Sequence, residues 1–449
     1  MRIHIRQPLF AWNALEDSPS IRTIRDFLQA VPDHDLLAGL EQQRGRGRDD
    51  YPVRVLWGVV ILTILLRHVS INACLDELRR NRDLRMLLNM PEEDQVPKAW
   101  NMSRFLEVLG QEPHLTALRG IFDQLVRRLG QAVPDLGKDT AGDATALKAR
   151  RPQEERAADD GLPQPSGGRK EYRDDDGQVT KVIEWFGYKL HLLVDTRHEV
   201  ALAYHLTAPS SGDGERVPAL LEQASGNLPA NRLQTMAFDK AADDQSVHEC
   251  LHEYKIKPLI QMRALWKEEP ERRPEGTRLP LNVVHDEAGT FYCYDTTGEA
   301  PVRHPMSYYG YEADRGTLKY RCPARHEGWD CPSDAKCNAG KKAGLSVRIP
   351  SALDRRRFPP IPRATQTFER MYKGRTAVER VNARLKIFWG ADDGNVIGAA
   401  RFHALVGAVM VVHLGLATLL AATPRWEGTL GQTRYSPIAK RLAAEIAAA

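Results

Sequence analysis

The sequence lacks the marks of a secreted chain. Its opening residues, MRIHIRQPLFAWNALEDSP, hold no uninterrupted apolar segment and no small-residue cleavage site, which predicts no signal peptide. Cysteine is scarce, six in 449 residues. Without a secretion signal such cysteines read as reduced thiols or metal ligands, not as a disulfide scaffold. An excess of one charge is also missing. The formal net charge of +4 permits a nucleic-acid partner without demanding one, so local clustering counts for more than the total. Long apolar runs are few. Val55–Leu66 is too short to cross a bilayer, and Ala404–Ala422, interrupted by His413 and rich in Ala and Gly, reads as a helix buried in a core. No internal repeat is apparent.

What is present is the composition of an ordinary globular protein, 42% apolar and 27% charged, long enough for about three domains. Residues 1–132 read as a helical N-terminal domain: VRVLWGVVILTILLRHVS forms one helix, Ser70 caps INACLDELRR, and NMSRFLEVLG follows the break at Pro97. Arg44, Arg46 and Arg48 precede this bundle, and Arg79, Arg80, Arg82 and Arg85 lie in it. That suits a DNA-binding or dimerising module, or a plain bundle with a basic surface. Residues 133–265 change to an α/β period, interrupted by a charged, Gly- and Pro-rich stretch at 149–177 that predicts a mobile loop. WFGYKLHLLVDTRHEVALAYHL predicts a hairpin turning at Asp195–Glu199, then a helix, the strand LQTMAFD, a second helix and the strand KPLIQM. This order is that of a mixed α/β sheet. Residues 266–362 form a cysteine-bearing, basic insertion, 363–423 return to the α/β core, and 424–449 form a tail.

Carboxylates stand where such a sheet collects functional groups. Asp143 ends or closely follows the first strand, in GDATALKA, and Asp239 ends a later one, in MAFDKAAD. In MYKGRTAVERVNARLKIFWG, a helix at ~100° per residue brings Tyr372, Arg375, Glu379 and Lys386 within an arc of roughly 80°, Asn382 among them. Val378, Val381, Leu385 and Phe388 make the adjoining apolar stripe that packs this helix on a core. A solvated charged face explains the same pattern, and the two aspartates decide for a site. Three carboxylates brought together repel one another unless cations neutralise them, and oxygen ligands with open positions suit magnesium or manganese.

The spacing Tyr372-(2)-Arg375-(3)-Glu379-(6)-Lys386 resembles in full the signature of a large group of insertion-sequence transposases of the DDE superfamily. GDATALKA is similar to the family's first-aspartate strand, WFGYKLHLLVD to its second strand, and Tyr51 to about Leu109 to its N-terminal domain. The resemblance implies an RNase H-like catalytic fold within residues 133–265 and 363–423. It implies that Asp143, Asp239 and Glu379 bind Mg2+ or Mn2+ and are catalytic, and that Tyr372, Arg375 and Lys386 contact transposon-end DNA. Asp139 is the rival first acid, but Thr145 and Lys148 place the family pattern on Asp143. Ala242 departs from the aromatic usual after the second aspartate. The implied activity is metal-dependent cleavage at terminal inverted repeats and joining to double-stranded target DNA, with a homodimer in the synaptic complex and a cytoplasmic, nucleoid-associated location. A decayed copy that binds DNA without cutting it, or a DNA-binding regulator, is the alternative.

In the insertion, Cys293, Cys322, Cys331 and Cys337 are close enough in sequence to share a structural zinc site, with His304 and His326 as alternative ligands. Their spacing is not C-x-x-C, and free thiols fit it as well. The basic residues behind them, Lys341, Lys342, Arg348 and Arg355 to Arg357, are expected to reach along a DNA backbone.

Overall fold

The computed structural model describes residues 19–45, 51–150, 161–174, 178–263, 266, 270–274, 279–341, 344–393, 396–423 and 428–431. Helices open it: α1 Pro19–Ala30, α2 His34–Arg44, α3 Val53–Leu65, α4 Ile71–Arg80, α5 Arg82–Leu87, α6 Ala99–Leu109 and α7 His114–Ala132. Ser70 Oγ accepts from the backbone N–H of Ala73 at 3.2 Å, which starts α4 where the sequence places it. Almost every side chain of α3 is buried, so it is an inner helix of the bundle.

The sheet follows: β1 Asp139–Lys148, β2 Ser166–Arg173, β3 Val179–Asp195, β4 Ala201–Thr207, then α8 Val217–Asn227, β5 Thr235–Phe238, α9 Gln245–Glu253 and β6 Lys257–Ile260. Its path runs β4-β3-β1-β5-β6, antiparallel among β4, β3 and β1 and parallel from β1 through β5 to β6. This is the RNase H-like order that the family resemblance implies. The expected loop at 149–177 needs correction. Residues 166–173 are β2, paired antiparallel with residues 179–187 of β3, so β3 extends beyond the sheet as one side of a two-stranded arm. Charged residues hide this strand from composition, because an arm with no core beneath it needs no apolar alternation. Residues 151–160 and 175–177 of that stretch lie outside the described residues.

The insertion brings β7 Glu271–Arg272, β8 Val283–Asp286, β9 Phe291–Asp295, β10 Val302–Pro305, β11 Ser307–Glu312 and β12 Thr317–Arg321. The short helices α10 Pro323–Glu327 and α11 Asp334–Asn338 follow, then β13 Ser346–Pro350. These strands form two sheets, β10-β9-β8-β7 and β11-β12-β13, around an apolar cluster of their own that includes Val283, Phe291, Leu318, Tyr320, Ile349 and Phe358.

The chain then returns through α12 Gln366–Tyr372 and α13 Thr376–Ala383 to α14 Ala399–Ala422. As expected, α14 is a core helix: its residues are buried nearly throughout, against α1, α3, α6 and α7 and against the sheet. His413, fully buried in it, is kept neutral because burial pulls its pKa down to about 3. Its Nε2 can therefore accept from the Ala201 N–H at 3.2 Å, tying α14 to β4. Truncating a large apolar side chain here, such as Leu416→Ala, should cost ~2–5 kcal/mol.

Candidate active site

The parallel register of the two central strands brings the aspartates together. Ala141 of β1 pairs with Ala237 of β5, and β5 ends at Phe238. Two residues on from that pair stand Asp143 and Asp239. Gly142, between Ala141 and Asp143, is required by this approach, since a Cβ there would lie 2.4 Å from the Phe238 ring. Asp143 is not at the end of its strand, as the sequence suggests, because β1 continues to Lys148 on its antiparallel partner β3. It lies instead where the parallel partner stops. Asp239 caps the turn after β5, its Oδ1 accepting from the Ala241 N–H at 2.9 Å. Asp139, the rival first acid, is at the other end of β1 and accepts from the Thr235 hydroxyl at 2.7 Å.

Residues 371–390 are not one helix. α12 ends at Tyr372, a 3₁₀ turn spans Lys373–Arg375, α13 follows, and a π-helical turn covers Arg384–Phe388. The even 100° spacing fails at both junctions, and the π turn, with its wider winding, sets the direction of Lys386. Val378, Val381 and Leu385 are buried as expected, while Asn382, expected on the polar face, is buried among them. On its other flank α13 is fastened by Glu199, 9% exposed, which accepts from Arg380 Nε at 2.7 Å and pairs with Arg384. Arg67, at the end of the α3 turn, donates from Nε to the Ile387 carbonyl at 2.7 Å and pairs with Asp393 at 2.5 Å. The helical bundle thus holds the π turn in place.

The side chains so placed share one field. Burial, and then the nearby charge of Asp239, push the Asp143 carboxyl up to about 6. Arg375 Nη2 pairs with Glu379 Oε1 at 2.9 Å. Burial works against its charge, but Tyr372, Glu379, Asp143 and Asp239 together hold its guanidinium above the ordinary range. Tyr372 stacks on Phe368 at 5.5 Å and 10° and is hydrogen-bonded to Arg375. Lys386 is depressed by burial and stands 3.9 Å from Asp392. Asp143 and Asp239 are therefore neighbours, and Arg375, paired with Glu379, lies within the field of both. Among the described residues, no group of three or more His, Cys, Asp or Glu side chains is drawn tightly enough to hold an ion as it stands. Donor chemistry nonetheless fits a hard divalent cation, because a pair of oxygen ligands that repel each other is what such an ion relieves.

The four insertion cysteines also converge. Cys293, Cys322, Cys331 and Cys337 line one cavity of about 20 Å³, His304 beside them, whereas His326 is not among its lining residues. Burial, then the other three thiols, push Cys293 up to about 12. The side-chain amides of Asn338 and Asn282 lie 3.6 Å from the sulfurs of Cys322 and Cys337.

Several basic residues expected on a DNA-facing surface are engaged within the fold. Arg79 pairs with Asp76 and Arg80 with Glu77, each at 2.5 Å, and Arg85 donates to the carbonyls of Leu78 and Arg79. Arg348 pairs with Glu312 at 2.7 Å, and Arg356 and Arg357 turn inward. Arg46, Arg48 and Lys342 lie outside the described residues. One acid escaped sequence reasoning. Asp243, four residues past Asp239, is 1% exposed and carries ion pairs to Arg356 and Arg363.

Comparison with known proteins adds the following. The family model described as a transposase DDE domain matches residues 138–414, a span that includes Asp143, Asp239 and Glu379. A second model, a transposase domain, matches residues 13–107. No curated protein matches the sequence. Among solved structures, a piggyBac transposase synaptic complex with hairpin DNA is similar at a TM-score of 0.37 and 10% identity. That match covers 96% of this chain and 82% of the other, a likeness too slight to carry an argument. With more than half of its length matched by the DDE model, the chain belongs to the DDE transposases: it is a DNA transposase, an enzyme of divalent-metal-dependent phosphodiester chemistry.

Proposed function

We propose that Asp143, Asp239 and Glu379 form the metal-binding catalytic set of this transposase, and that Tyr372, Arg375 and Lys386 hold the transposon end against it. The observation that carries the reading is the register of β1 and β5, which sets Asp143 beside Asp239, with Arg375 linking both to Glu379. Mg2+ or Mn2+ bound by these oxygens supplies the positive charge that activates a water or a 3′-hydroxyl and stabilises the leaving oxygen. The protein's own part is placement. Arg375 forks a phosphate oxygen, which releases Glu379 toward the two aspartates. Lys386, held in its partly buried place by the π turn, meets the backbone as a point charge. Tyr372, no longer engaged by Arg375, is free to stack on or hydrogen-bond to the end.

The DNA bound in this way is the pair of terminal inverted repeats of the element, brought together by two copies of the chain before joining to target DNA, in the cytoplasm at the nucleoid. In the insertion, the thiol cavity is a structural Zn2+ site: the donors are four soft sulfurs around a space of about one ion, and the two amides suit thiolate acceptors. The sulfurs need to close inward on the ion to complete it.

Glu379→Gln tests the catalytic reading. It should leave end-DNA binding within about threefold, because removing a carboxylate relieves repulsion of the phosphate, and it should lower strand cleavage by orders of magnitude. Cleavage near the wild-type rate by this variant would return α13 to a charged surface.

A further inference from the structure

Asp243 is the most thoroughly buried carboxylate near the site, and its partners come from both ends of the insertion. Its Oδ2 accepts from the Arg263 backbone N–H at 2.7 Å, at the entry to the insertion, and pairs with Arg356 Nη2 at 2.7 Å, at its exit. Its Oδ1 faces Arg363 Nη2 at 3.7 Å and His248 Nε2 of α9 at 3.3 Å. The guanidiniums then bind the same strands together. Arg356 donates to the Arg263 carbonyl at 2.9 Å, and Arg363 to the Ile260 carbonyl at 2.8 Å and the Arg356 carbonyl at 2.9 Å. Ile260 is the last residue of β6, and α12, the helix that leads to Tyr372, starts three residues after Arg363.

The charges are unequal. One carboxylate faces two guanidiniums whose side chains are 13% and 6% exposed, with His248 kept neutral by burial. Burial alone would raise Asp243, but the donors from His248, Arg356 and Arg263 hold it down at about 2, while burial pulls Arg363 down to about 10. Removing the carboxylate charge leaves two buried cations facing each other, with Asp354 the remaining acid in the field of Arg363, a penalty far larger than that of an exposed pair. Only the 3₁₀ turn Lys240–Ala242 separates this cluster from Asp239.

We infer that Asp243 is a positioning residue for transposition chemistry: a buried clamp that fixes the turn carrying Asp239 to both ends of the insertion and to the approach of α12, so that displacement of the insertion is felt at the catalytic acids. The inference rests on the reading of Asp239 as a metal-binding acid. It assigns the insertion a role in setting metal occupancy in addition to any contact it makes with DNA.

The test uses full-length protein and three substitutions, Asp243→Asn, Asp243→Glu and Asp239→Asn, with Arg356→Met as a milder break of the same cluster should Asp243→Asn fail to fold. The readouts are end-DNA affinity, single-turnover strand cleavage, and Mn2+ binding followed by the EPR signal of free Mn2+. Asp243→Asn should bind DNA within about threefold of wild type, yet bind Mn2+ about tenfold more weakly and cleave on the order of 10²-fold more slowly, as expected of a small misplacement of reacting groups. Excess Mn2+ should restore much of the rate, and Asp243→Glu should recover part of both. Arg356→Met should move Mn2+ affinity in the same direction by a smaller factor. Unchanged Mn2+ affinity in folded Asp243→Asn or Arg356→Met, or a rate loss that follows only the unfolded fraction, overturns the clamp. If Asp239→Asn itself keeps Mn2+ affinity and cleavage, the catalytic assignment fails instead, and the two failures are told apart.

Discussion

At the C-terminal end of β5 two aspartates stand near the Arg375–Glu379 pair, and in the insertion four thiols meet two side-chain amides. Both places crowd groups that repel one another once ionised, and they differ in how the repulsion is relieved. Around Asp143 and Asp239 the opposite charge is that of Arg375, which is 24% exposed, lies on a 3₁₀ turn and pairs with Glu379; on the proposed reading it exchanges this carboxylate for a phosphate. Around Cys293 the relief is protonation, with burial keeping the thiol neutral until an ion displaces its proton. On the proposed reading the acids, which admit and release a cation during chemistry, are hard oxygen ligands. The thiols, proposed to hold the insertion together, are soft ligands, with Cys322 buried and the other three half-buried.

The widest separation between the two should come from Asp143→Asn. Strand cleavage should drop by orders of magnitude while the thermal midpoint changes little, because the acid set holds a metal and not the fold. Combining it with Glu379→Gln should add little, since the acids act as one unit. An additive double loss would break the grouping. The converse holds for the thiols. Purified protein should carry about one equivalent of zinc, and Cys322→Ser or Cys337→Ser should release it and lower the unfolding midpoint of the insertion, with cleavage falling only as far as folded protein is lost. A metal-free preparation that unfolds at the same temperature would reduce the cavity to four free thiols. The smallest effect is expected from Arg375→Ala, which should weaken end binding and reduce the slope of log affinity against log salt by about 0.9, one phosphate contact. If the slope stays the same, Arg375 remains paired with Glu379 when DNA is bound.

These two places were not equally legible in the sequence. The acids could be singled out because they sit at positions that strand and helix periods govern: Asp143 and Asp239 at ends of parallel pairing, and Glu379 on a helix with a clear apolar stripe. What the period could not show was where it breaks. The 3₁₀ turn at Lys373–Arg375 packs against β1 and β5, and the π turn at Arg384–Phe388 is held by Glu199 and Arg67, all remote in sequence. The strand β2 was hidden by its charge. Asp243 was hidden for a different reason. In DKAADDQS it looks like one more helix cap, a role that its neighbour Asp244 does fill, accepting from the Ser246 N–H at 2.9 Å. Nothing local but His248 distinguishes the two aspartates, since the arginines that pair with Asp243 come from the far end of the insertion and just past it. The convergence of the cysteines was expected, but the amides that face two of the sulfurs were not, because asparagine carries no spacing signature.

The placement of α14 has a consequence for synthesis. The helices α1, α3, α6 and α7 are made before the sheet and the insertion, yet the surface they bury is completed by α14, which comes after both. The helical bundle therefore waits, with its apolar face uncovered, until the sheet and the insertion have been translated. At roughly 5–20 residues per second that interval is some tens of seconds. A chain cut between Glu379 and Ala399 keeps every acid of the proposed site and has no lid for its core, a substrate for chaperones and proteases in place of a working enzyme.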